Sequence, residues 1–375
     1  MHKIIIIGAG PVGLFLAHHL LSRGGYQVAV YECRPDPRQV ESSNRHTFPI
    51  SVQARGLRAI RTIPGLEAAL EEKGMWSSGT VLHSRRGKTR QIDRKLPLLL
   101  VDRNQLTGVL LQHLSDRHDQ ALLTIQFDCA CTDVDPDGQI VMLHPVAGKP
   151  FTARFDYLVG ADGVNSQVRD VRVAKADMQC EQSVIPDAYQ SLFVRNRNSD
   201  GSVKLAPDRI HSWTIGRNKR VLMAPLPDDW LHGVVLFPLG KNPIADCADA
   251  AAVHRYFQDK CPVLAGLMTL EDAEALRQCP VSQLLTVTCD RMAAMPRYRM
   301  CRRSCNFWIS IRMTGAKRCL RLLFSDCRKF THYAIYPTIV FRNRSERCWS
   351  LSYASRWVKS FDSGFPNLAS LYPWN

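Results

Sequence analysis

The chain has 375 residues, of which 45% are hydrophobic and 22% charged, as in an ordinary globular protein of about two domains. No stretch approaches the ~20 consecutive apolar residues of a membrane helix, so no membrane span is expected. The 13 cysteines include no CxxC pair. This argues against a zinc site or a small disulfide scaffold and predicts a reducing, cytoplasmic setting.

The net charge of +15 is concentrated at the C-terminal end. Residues 1–290 hold 33 Lys and Arg against 31 Asp and Glu, whereas residues 291–375 hold 16 against 3. The second segment also contains four of the seven tryptophans and only two glycines. The composition of the chain therefore changes near Asp290.

The first segment opens with a predicted strand, a glycine-rich turn and a helix. Four isoleucines at 4–7 precede the sequence GAGPVG, and apolar residues then recur with helical spacing. In such a turn Gly8 allows the tight bend, Gly10 allows the backbone to approach a pyrophosphate, and Gly13 allows close packing of helix on strand. The pattern therefore predicts a nucleotide site.

The residues around this turn extend the prediction to a dinucleotide. Pro11 and Val12 would open the helix, whose N-terminus favours a bound anion. A second strand at 28–31 ends in Glu32, the acid expected on a ribose hydroxyl. A chance glycine turn in an unrelated α/β domain is the alternative. No GKS/T loop is present, so nucleotide hydrolysis of the P-loop type is not expected.

Further elements follow in chain order. His18 and His19 are predicted to form a surface pair on the first helix rather than a ligand site, since adjacent helical residues point apart. Asp102 is a plausible N-cap for a helix that begins at Arg103. Strands are predicted at three later places, the last of which runs into GADGVNSQVR; these strands span 123–127, 140–143 and 155–159.

Three motifs together make the chain resemble the FAD-dependent aromatic hydroxylases, and within them the kynurenine monooxygenase branch. They are GAGPVG with Tyr31-Glu32, the Arg103-x-x-Leu106 helix start, and GADGVNSQVR at 160–169. The resemblance covers roughly residues 1–290 and implies an α/β fold, with a doubly wound, Rossmann-like FAD-binding domain and an inserted mixed-sheet substrate domain. An irregular basic C-terminal tail would follow.

The resemblance also implies domain limits and residue roles. The FAD-binding domain would span 1–175, the substrate domain 176–290 and the tail 291–375. Arg38 would lie near the flavin and the reductant, or be a solvated loop charge. Arg103 would contact the cofactor, or be an exposed helix arginine. The implied cofactor-binding residues are Gly8, Gly10, Pro11, Val12, Gly13, Glu32, Arg38, Arg103, Asp162 and Gly163, with Asp162 ordering the pyrophosphate region or serving only as a turn aspartate.

The implied activity is a monooxygenase that uses FAD, NADPH or NADH, and molecular oxygen to hydroxylate a small aromatic substrate. The family's kynurenine-binding arginine and tyrosine correspond to Thr80 and Pro97 in an ungapped alignment, so kynurenine is not the expected substrate. A flavin-dependent reductase or dehydrogenase and a non-catalytic remnant are the alternatives. No catalytic residue or metal site is predicted, and a nucleic-acid partner is not expected.

The second flavin motif of this family, a Gly-Asp pair before a glycine-rich helix start, is missing. The 375 residues contain no Gly-Asp pair. Three explanations for residues 291–375 stay open: a shifted reading frame, a basic nucleic-acid-binding extension, and a membrane-surface segment. Met313-Thr314 must be encoded ATG ACN, so one alternate frame contains the stop TGA there, whereas the other encodes aspartate.

Overall fold

A computed structural model of the chain describes residues 1–39, 47–84, 87–175, 178–198 and 200–290, and the backbone of three short strands after them. The chain divides into two compact units, neither of which is continuous in sequence. The first comprises 1–34, 120–183 and 285–375, and the second 35–119 and 184–284. Residues 35–119 therefore group with the second unit instead of with the glycine turn. Apart from the three strands, the predicted tail lies outside the described residues.

The helices and strands alternate along the chain. Those up to residue 175 are β1 (His2–Ile7), α1 (Pro11–Arg23), β2 (Tyr26–Tyr31), β3 (Pro49–Val52), α2 (Ala54–Ile60), α3 (Leu66–Glu71), β4 (Gly74–His83), β5 (Thr89–Asp102), α4 (Arg103–Arg117), β6 (Leu123–Gln126), β7 (Cys129–Asp135), β8 (Ile140–Pro145), β9 (Phe151–Arg154), β10 (Tyr157–Gly160) and α5 (Gln167–Ala174). Those that follow are β11 (Cys180–Arg195), β12 (Arg209–Gly216), β13 (Lys219–Leu226), β14 (Trp230–Pro238), α6 (Ala250–Lys260), α7 (Pro262–Ala265), α8 (Leu270–Gln278), β15 (Ser282–Cys289), β16 (Met295–Pro296), β17 (Ser310–Arg312) and β18 (Cys319–Arg321).

The first unit is built on a parallel sheet in the order β10-β1-β2-β6, with β16 antiparallel at the β10 edge. The isoleucines of β1 are buried on both faces, as expected for a central parallel strand. On one face Ile5 and Ile7 pack in a core with Val141 and Phe155, beneath the antiparallel β7–β9 sheet. Helix α1 packs on the opposite, Ile6 face. This unit confirms the predicted strand, turn, helix and strand.

Helix α1 corrects the prediction for its two histidines. His18 is 0% and His19 9% exposed, so neither lies on the surface. Most residues of α1 are buried, because the helix is covered on more than the face that meets the sheet. Burial lowers the pKa of His19 below its ordinary value.

The second unit is built on an eight-stranded mixed sheet in the order β15-β11-β14-β13-β12-β4-β5-β3. Strands β4 and β12 pair in parallel, whereas β11–β14, β13–β14, β12–β13, β4–β5 and β3–β5 pair antiparallel. Trp213, Phe237 and Phe257 belong to a core that joins this sheet to the α6–α8 helices. The mixed sheet confirms the predicted fold class, although β3–β5 extend it beyond the predicted substrate segment.

Helix α4 begins as predicted. The Asp102 carboxylate accepts hydrogen bonds from the backbone N–H groups of Asn104, at 2.7 Å, and Gln105, at 3.2 Å. None of the helices in the described ranges is long and apolar enough to cross a bilayer.

A disulfide joins Cys180, at the start of β11, to Cys289, at the end of β15. This crosslink between neighbouring strands departs from the free cysteines that the sequence predicts for a reducing compartment. The two cysteines are 109 residues apart, so their pairing could not be predicted from sequence spacing. Only the pairing of β11 with β15 brings them together. A cytoplasmic location stays a prediction.

Candidate cofactor site

The glycine turn leaves no space for side chains at its first and last glycines. Gly8 has a φ of +105°, and a Cβ there would lie 2.8 Å from the backbone nitrogen of Asp162 and would overlap the Ala161 carbonyl. A Cβ at Gly13 would collide with the carbonyl oxygen of Gly8 and lie 3.2 Å from Cγ2 of Ile6. Glycine is therefore required at both positions by backbone packing.

The middle of the turn is open. A Cβ at Gly10 would meet nothing within 4 Å. Gly10 is the N-cap of α1 and supplies no capping side chain, and Pro11 occupies the first turn. The first N–H groups of a helix lack intrahelical partners, which leaves those of Val12 and Gly13 available to a ligand. The open backbone and the helix N-terminus together form a cradle for an anion.

Glu32 lies at the end of β2, against the turn. Its Oε2 accepts a hydrogen bond from the Ala9 N–H at 2.8 Å, and its Oε1 accepts one from the Arg34 N–H at 3.1 Å. An ionised carboxylate has about four acceptor positions, so Glu32 can brace the turn and still accept ribose hydroxyls.

Asp162 and Gly163 follow β10 at the same edge of the sheet. The Ala161 N–H donates to the Ile7 carbonyl at 2.7 Å, which fixes the two loops side by side. Oδ2 of Asp162 accepts from the Val168 N–H at 3.3 Å, as in a simple turn. Oδ1 is buried and has no hydrogen-bond partner among the residues that the structure describes. Gly163 has a φ of +81°, a conformation that favours glycine.

The parallel sheet thus brings together eight of the ten predicted residues, namely Gly8, Gly10, Pro11, Val12, Gly13, Glu32, Asp162 and Gly163. Their arrangement fits a dinucleotide, because an open glycine turn and a helix N-terminus suit a pyrophosphate. The acid of the adjoining strand suits a ribose, and the unpartnered Asp162 oxygen suits a further donor. Their roles toward the cofactor stay predictions.

Arg38, the ninth predicted residue, belongs to the second unit. Its Nη2 is 2.6 Å from Oδ2 of Asp36, and its Nη1 donates to Oε1 of Gln112, on α4, at 3.1 Å. These contacts tie the loop to the helix, whereas the Arg38 side chain stays exposed; its role toward the cofactor stays a prediction. Burial opposes ionisation of Asp36, but the hydrogen bonds from Arg38 outweigh it and lower the pKa of this carboxyl.

Arg103, the tenth predicted residue, is the first residue of α4 and is partly buried. Its N–H donates to the Phe48 carbonyl at 3.3 Å, and its guanidinium carbon lies 5.9 Å from the centre of the Phe48 ring. Two residues that contact Asp102 beside it, Thr47 and His232, were not predicted from the sequence. A histidine in an apolar strand gives no sequence signal of its partner.

Residues 1–240 match the family model FAD_binding_3, described as FAD binding domain. The chain belongs to this family. It is 30% identical over 239 residues to the kynurenine 3-monooxygenase of Anopheles gambiae, which covers 62% of this chain and 48% of that protein. It is 26% identical over 302 residues to the enzyme of that name from Saccharomyces cerevisiae, with coverage of 76% and 64%. The chain thus spans about half to two thirds of the length of these relatives.

Solved structures with the same fold include 2-methyl-3-hydroxypyridine-5-carboxylic acid oxygenase, with a TM-score of 0.61 and 20% identity over 77% of this chain and 72% of that chain. Another is p-nitrophenol 4-monooxygenase PnpA from Pseudomonas putida DLL-E4, with a TM-score of 0.57 and 14% identity over 78% and 71%. These two structures confirm the predicted fold class, and the match to the FAD binding domain family confirms the resemblance.

Proposed function

We propose that this chain is a FAD- and NAD(P)H-dependent monooxygenase that hydroxylates a small aromatic molecule with molecular oxygen. The single observation that supports it best is the cradle at the edge of the parallel sheet, where the Ala9 N–H meets Glu32 and the Gly8 backbone meets Asp162. The similarity to relatives named kynurenine 3-monooxygenase supports this reaction class.

Different residues of the cradle would bind different parts of FAD. The Gly8–Gly13 turn and the N-terminus of α1 would hold the pyrophosphate, and Glu32 would accept hydrogen bonds from the adenosine ribose. Oδ1 of Asp162 would accept a hydrogen bond from a cofactor hydroxyl or from water on the pyrophosphate. Bound FAD would supply the oxygen chemistry, accepting electrons from the nicotinamide and passing one oxygen atom to the aromatic ring.

The substrate class is proposed as an aromatic compound in general rather than kynurenine. Thr80, which replaces the arginine expected by resemblance, is 4% exposed and accepts a hydrogen bond from Nη2 of Arg94 at 3.3 Å. A buried hydroxyl cannot form the ion pair that an arginine offers to a carboxylate.

A Glu32→Lys variant, made in the gene read in the open alternate frame after about codon 290, tests the cofactor part of the proposal. A lysine ammonium cannot accept hydrogen bonds from ribose hydroxyls or from the Ala9 N–H, so we expect FAD binding to be lost after reconstitution. Glu181→Lys, the same charge change at an exposed position of the first unit, is the matched control and should keep the flavin. Equal flavin content in the two variants would remove Glu32 from the site.

Oxygen-18 gas tests the reaction class. With the same frame-corrected protein, NADPH and an aromatic substrate, the label should enter the product from O₂, because hydroxylation inserts an atom of molecular oxygen. The missing Gly-Asp pair favours a second candidate, a flavin-binding remnant that does not oxygenate. NADPH oxidation with an unlabelled, unchanged aromatic would support a reductase, and flavin binding with no NADPH oxidation would support the remnant.

A further inference from the structure

An open cleft of about 1020 Å³ lies within the second unit, between the tip of the β12–β13 hairpin and the last two turns of α6. Four of its ten lining residues are basic and none is acidic among those that the structure describes. They are Thr214, Ile215, Gly216, Arg217, Asn218, Lys219, Pro238, Lys241, Tyr256 and Lys260. The volume is at the upper end of the range for small-molecule sites, about 300–1,000 Å³, so the cleft has room for more than a single ion.

Tight turns hold the backbone that carries three of the cations. Arg217 and Asn218 form a two-residue turn between β12 and β13, and Lys219 follows directly as the first residue of β13. Asn218 has a φ of 55°, a left-handed conformation that asparagine tolerates. The Lys241 N–H donates to the Pro238 carbonyl at 2.9 Å, which closes a second turn after β14. These three cations therefore extend from ordered backbone.

Most of this positive charge is not neutralised by the chain itself. Arg217, Lys219 and Lys241 form no ion pair with any acid in the described ranges of the chain. Lys260 is the exception, because its Nζ lies 2.5 Å from Oδ2 of Asp259, whose side chain is 56% exposed. Like charges that face one water-filled cleft raise the local concentration of anions. The cleft therefore favours a ligand that brings more than one negative charge.

Neutral donors complete the lining. The hydroxyl groups of Thr214 and Tyr256 and the side-chain amide of Asn218 can all donate hydrogen bonds. Burial, with a smaller contribution from Cys261, raises the pKa of Tyr256, so its hydroxyl keeps its proton at neutral pH. Nζ of Lys260 lies 6.0 Å from the centre of the Tyr256 ring, one helical turn earlier. Because ammonium and guanidinium groups only donate, the ligand must supply the acceptor oxygens.

Phosphate groups have the charge and the acceptors that this lining requires. A single carboxylate would neutralise one of the four cations, whereas a phosphate or diphosphate group carries several acceptor oxygens and binds both Arg and Lys. We propose that the cleft binds a phosphorylated small molecule with at least two negative charges. This inference goes beyond the proposed function and involves only residues of the second unit.

The charge of the surrounding chain favours a small molecule over a nucleic acid. Residues 1–290 hold 33 basic against 31 acidic side chains, so the excess of cations in the cleft does not continue over this part of the chain. A nucleic acid would place successive phosphates outside the cleft, where an extended basic surface is needed to bind them.

Titration calorimetry with inorganic pyrophosphate tests the site in the frame-corrected protein, whose residues 214–260 are unchanged. In an Arg217→Gln/Lys241→Gln double variant we expect the Kd to rise about tenfold at low salt, because two cations are lost from the cleft. Arg58→Gln/Lys73→Gln removes the same two residue types from exposed positions of the same unit. This matched control should change the Kd by less than about twofold.

Two outcomes would overturn the proposal, namely equal Kd values in the two double variants or no saturable binding of pyrophosphate to the unsubstituted protein. Pyrophosphate bound at the Gly8–Gly13 turn would respond equally to both double variants. The comparison therefore separates the cleft from the cofactor cradle. It holds whether or not the chain binds FAD, so failure of this inference is distinguished from failure of the proposed function.

A variant that gains affinity excludes loss of binding through unfolding. Asp259→Asn releases Lys260 from its ion pair, so we expect pyrophosphate to bind about threefold more tightly. Glu72→Gln removes one exposed carboxylate elsewhere in the second unit and should leave the Kd unchanged. Equal or weaker binding in Asp259→Asn would overturn the assignment of the anion to this cleft.

Three sources of phosphate distinguish the class of ligand. ADP should bind at least as tightly as pyrophosphate and should lose the same factor in Arg217→Gln/Lys241→Gln. Binding of oligothymidylate, or of vesicles that contain phosphatidylinositol phosphates, should be equal in the two double variants. If either of these bound through Arg217 and Lys241 and ADP did not, the small-molecule class would be rejected.

Discussion

Gly10 and Gly13 lie in the same turn, but a methyl group at each would meet different surroundings. At Gly13 it would overlap the Gly8 carbonyl, whereas at Gly10 it would point into open space. We expect Gly13→Ala to lower the free energy of unfolding by about 1–3 kcal/mol, as overpacking does. Gly10→Ala should change it by less than about 1 kcal/mol.

The two substitutions should differ in their effect on stability but not in the direction of their effect on flavin binding. Both substitutions should weaken it, Gly13→Ala by disturbing the turn and Gly10→Ala by keeping the pyrophosphate away from the backbone. Urea unfolding of the flavin-free variants and FAD titration would be compared. If Gly10→Ala binds FAD as tightly as the natural chain, the cofactor does not lie over that glycine.

His83 makes the stability of the chain depend on pH. Burial, with a smaller contribution from the neighbouring His211, lowers the pKa of His83 from 6.5 to about 4. A lowered pKa means that the folded chain binds this proton less tightly than the unfolded chain. The stability that neutral His83 contributes is therefore fully present above about pH 6.5 and is lost as the pH falls toward 4.

Urea midpoints measured between pH 7.5 and 4 would test this dependence. His83→Gln should flatten the loss of stability between about pH 6.5 and 4. His144→Gln, at an exposed position, is the control and should keep the natural slope. Identical slopes for the two variants would contradict the assignment to His83.

At this scale, spacing along the chain predicted the cradle residues but not the partners of long side chains. Gly8, Gly13 and Glu32 could be assigned because their roles depend on backbone geometry within 25 residues. Arg38 could be selected by resemblance, yet its contacts with Asp36 and Gln112 depend on a loop meeting a helix that is distant in sequence.

Among the elements, helices and local strand units were easier to predict than strand partners. The Asp102 cap and the Leu106 face are local signals, so α4 begins at the expected residue. By contrast, β4 pairs in parallel with β12, which joins Val81 to His211 across the sheet. Alternating apolar residues define a strand but do not specify a partner 130 residues away, so the extension of the mixed sheet by β3–β5 could not be foreseen.

The crosslink between β11 and β15 gives an element-scale prediction. Closing a loop of 109 residues restricts the unfolded chain, so reduction should cost about 4–5 kcal/mol of unfolding free energy. Cys180→Ser should remove the effect of reductant on the urea midpoint. Cys33→Ser, at an exposed free cysteine, should retain it. Alkylation of both Cys180 and Cys289 in unreduced protein would contradict the pairing.

For the whole molecule, the composition change after Asp290 predicts that the 375-residue chain aggregates or fails to hold flavin. Residues 291–375 carry a charge excess of 16 basic over 3 acidic side chains and lack the Gly-Asp motif. Like charges repel one another in the folded state, and apolar surface left uncovered by the expected C-terminal helices favours aggregation. We expect the 375-residue chain to pellet on lysis or to purify without flavin.

Reading the gene in the open alternate frame after about codon 290 should restore both yield and yellow colour. Fractionation and the flavin absorbance of the purified protein measure the two effects. Recovery of the unaltered chain as a monomer with near-stoichiometric FAD would reject the frameshift explanation and would make the basic tail a functional element.

The position of β1 at the centre of its sheet also affects synthesis. One of its two neighbours, β2, is complete by residue 31, whereas β10, which pairs with the opposite edge of β1, begins only at Tyr157. The Lys3 N–H likewise cannot donate to the Asp156 carboxylate until that residue has been synthesised. At 5–20 residues per second, roughly 8–30 s pass between the emergence of the end of β1 and that of the start of β10 from the ribosome. During that interval the four isoleucines of β1 lie beside an unpaired strand edge, so we expect the nascent chain to bind chaperones until β10 has emerged.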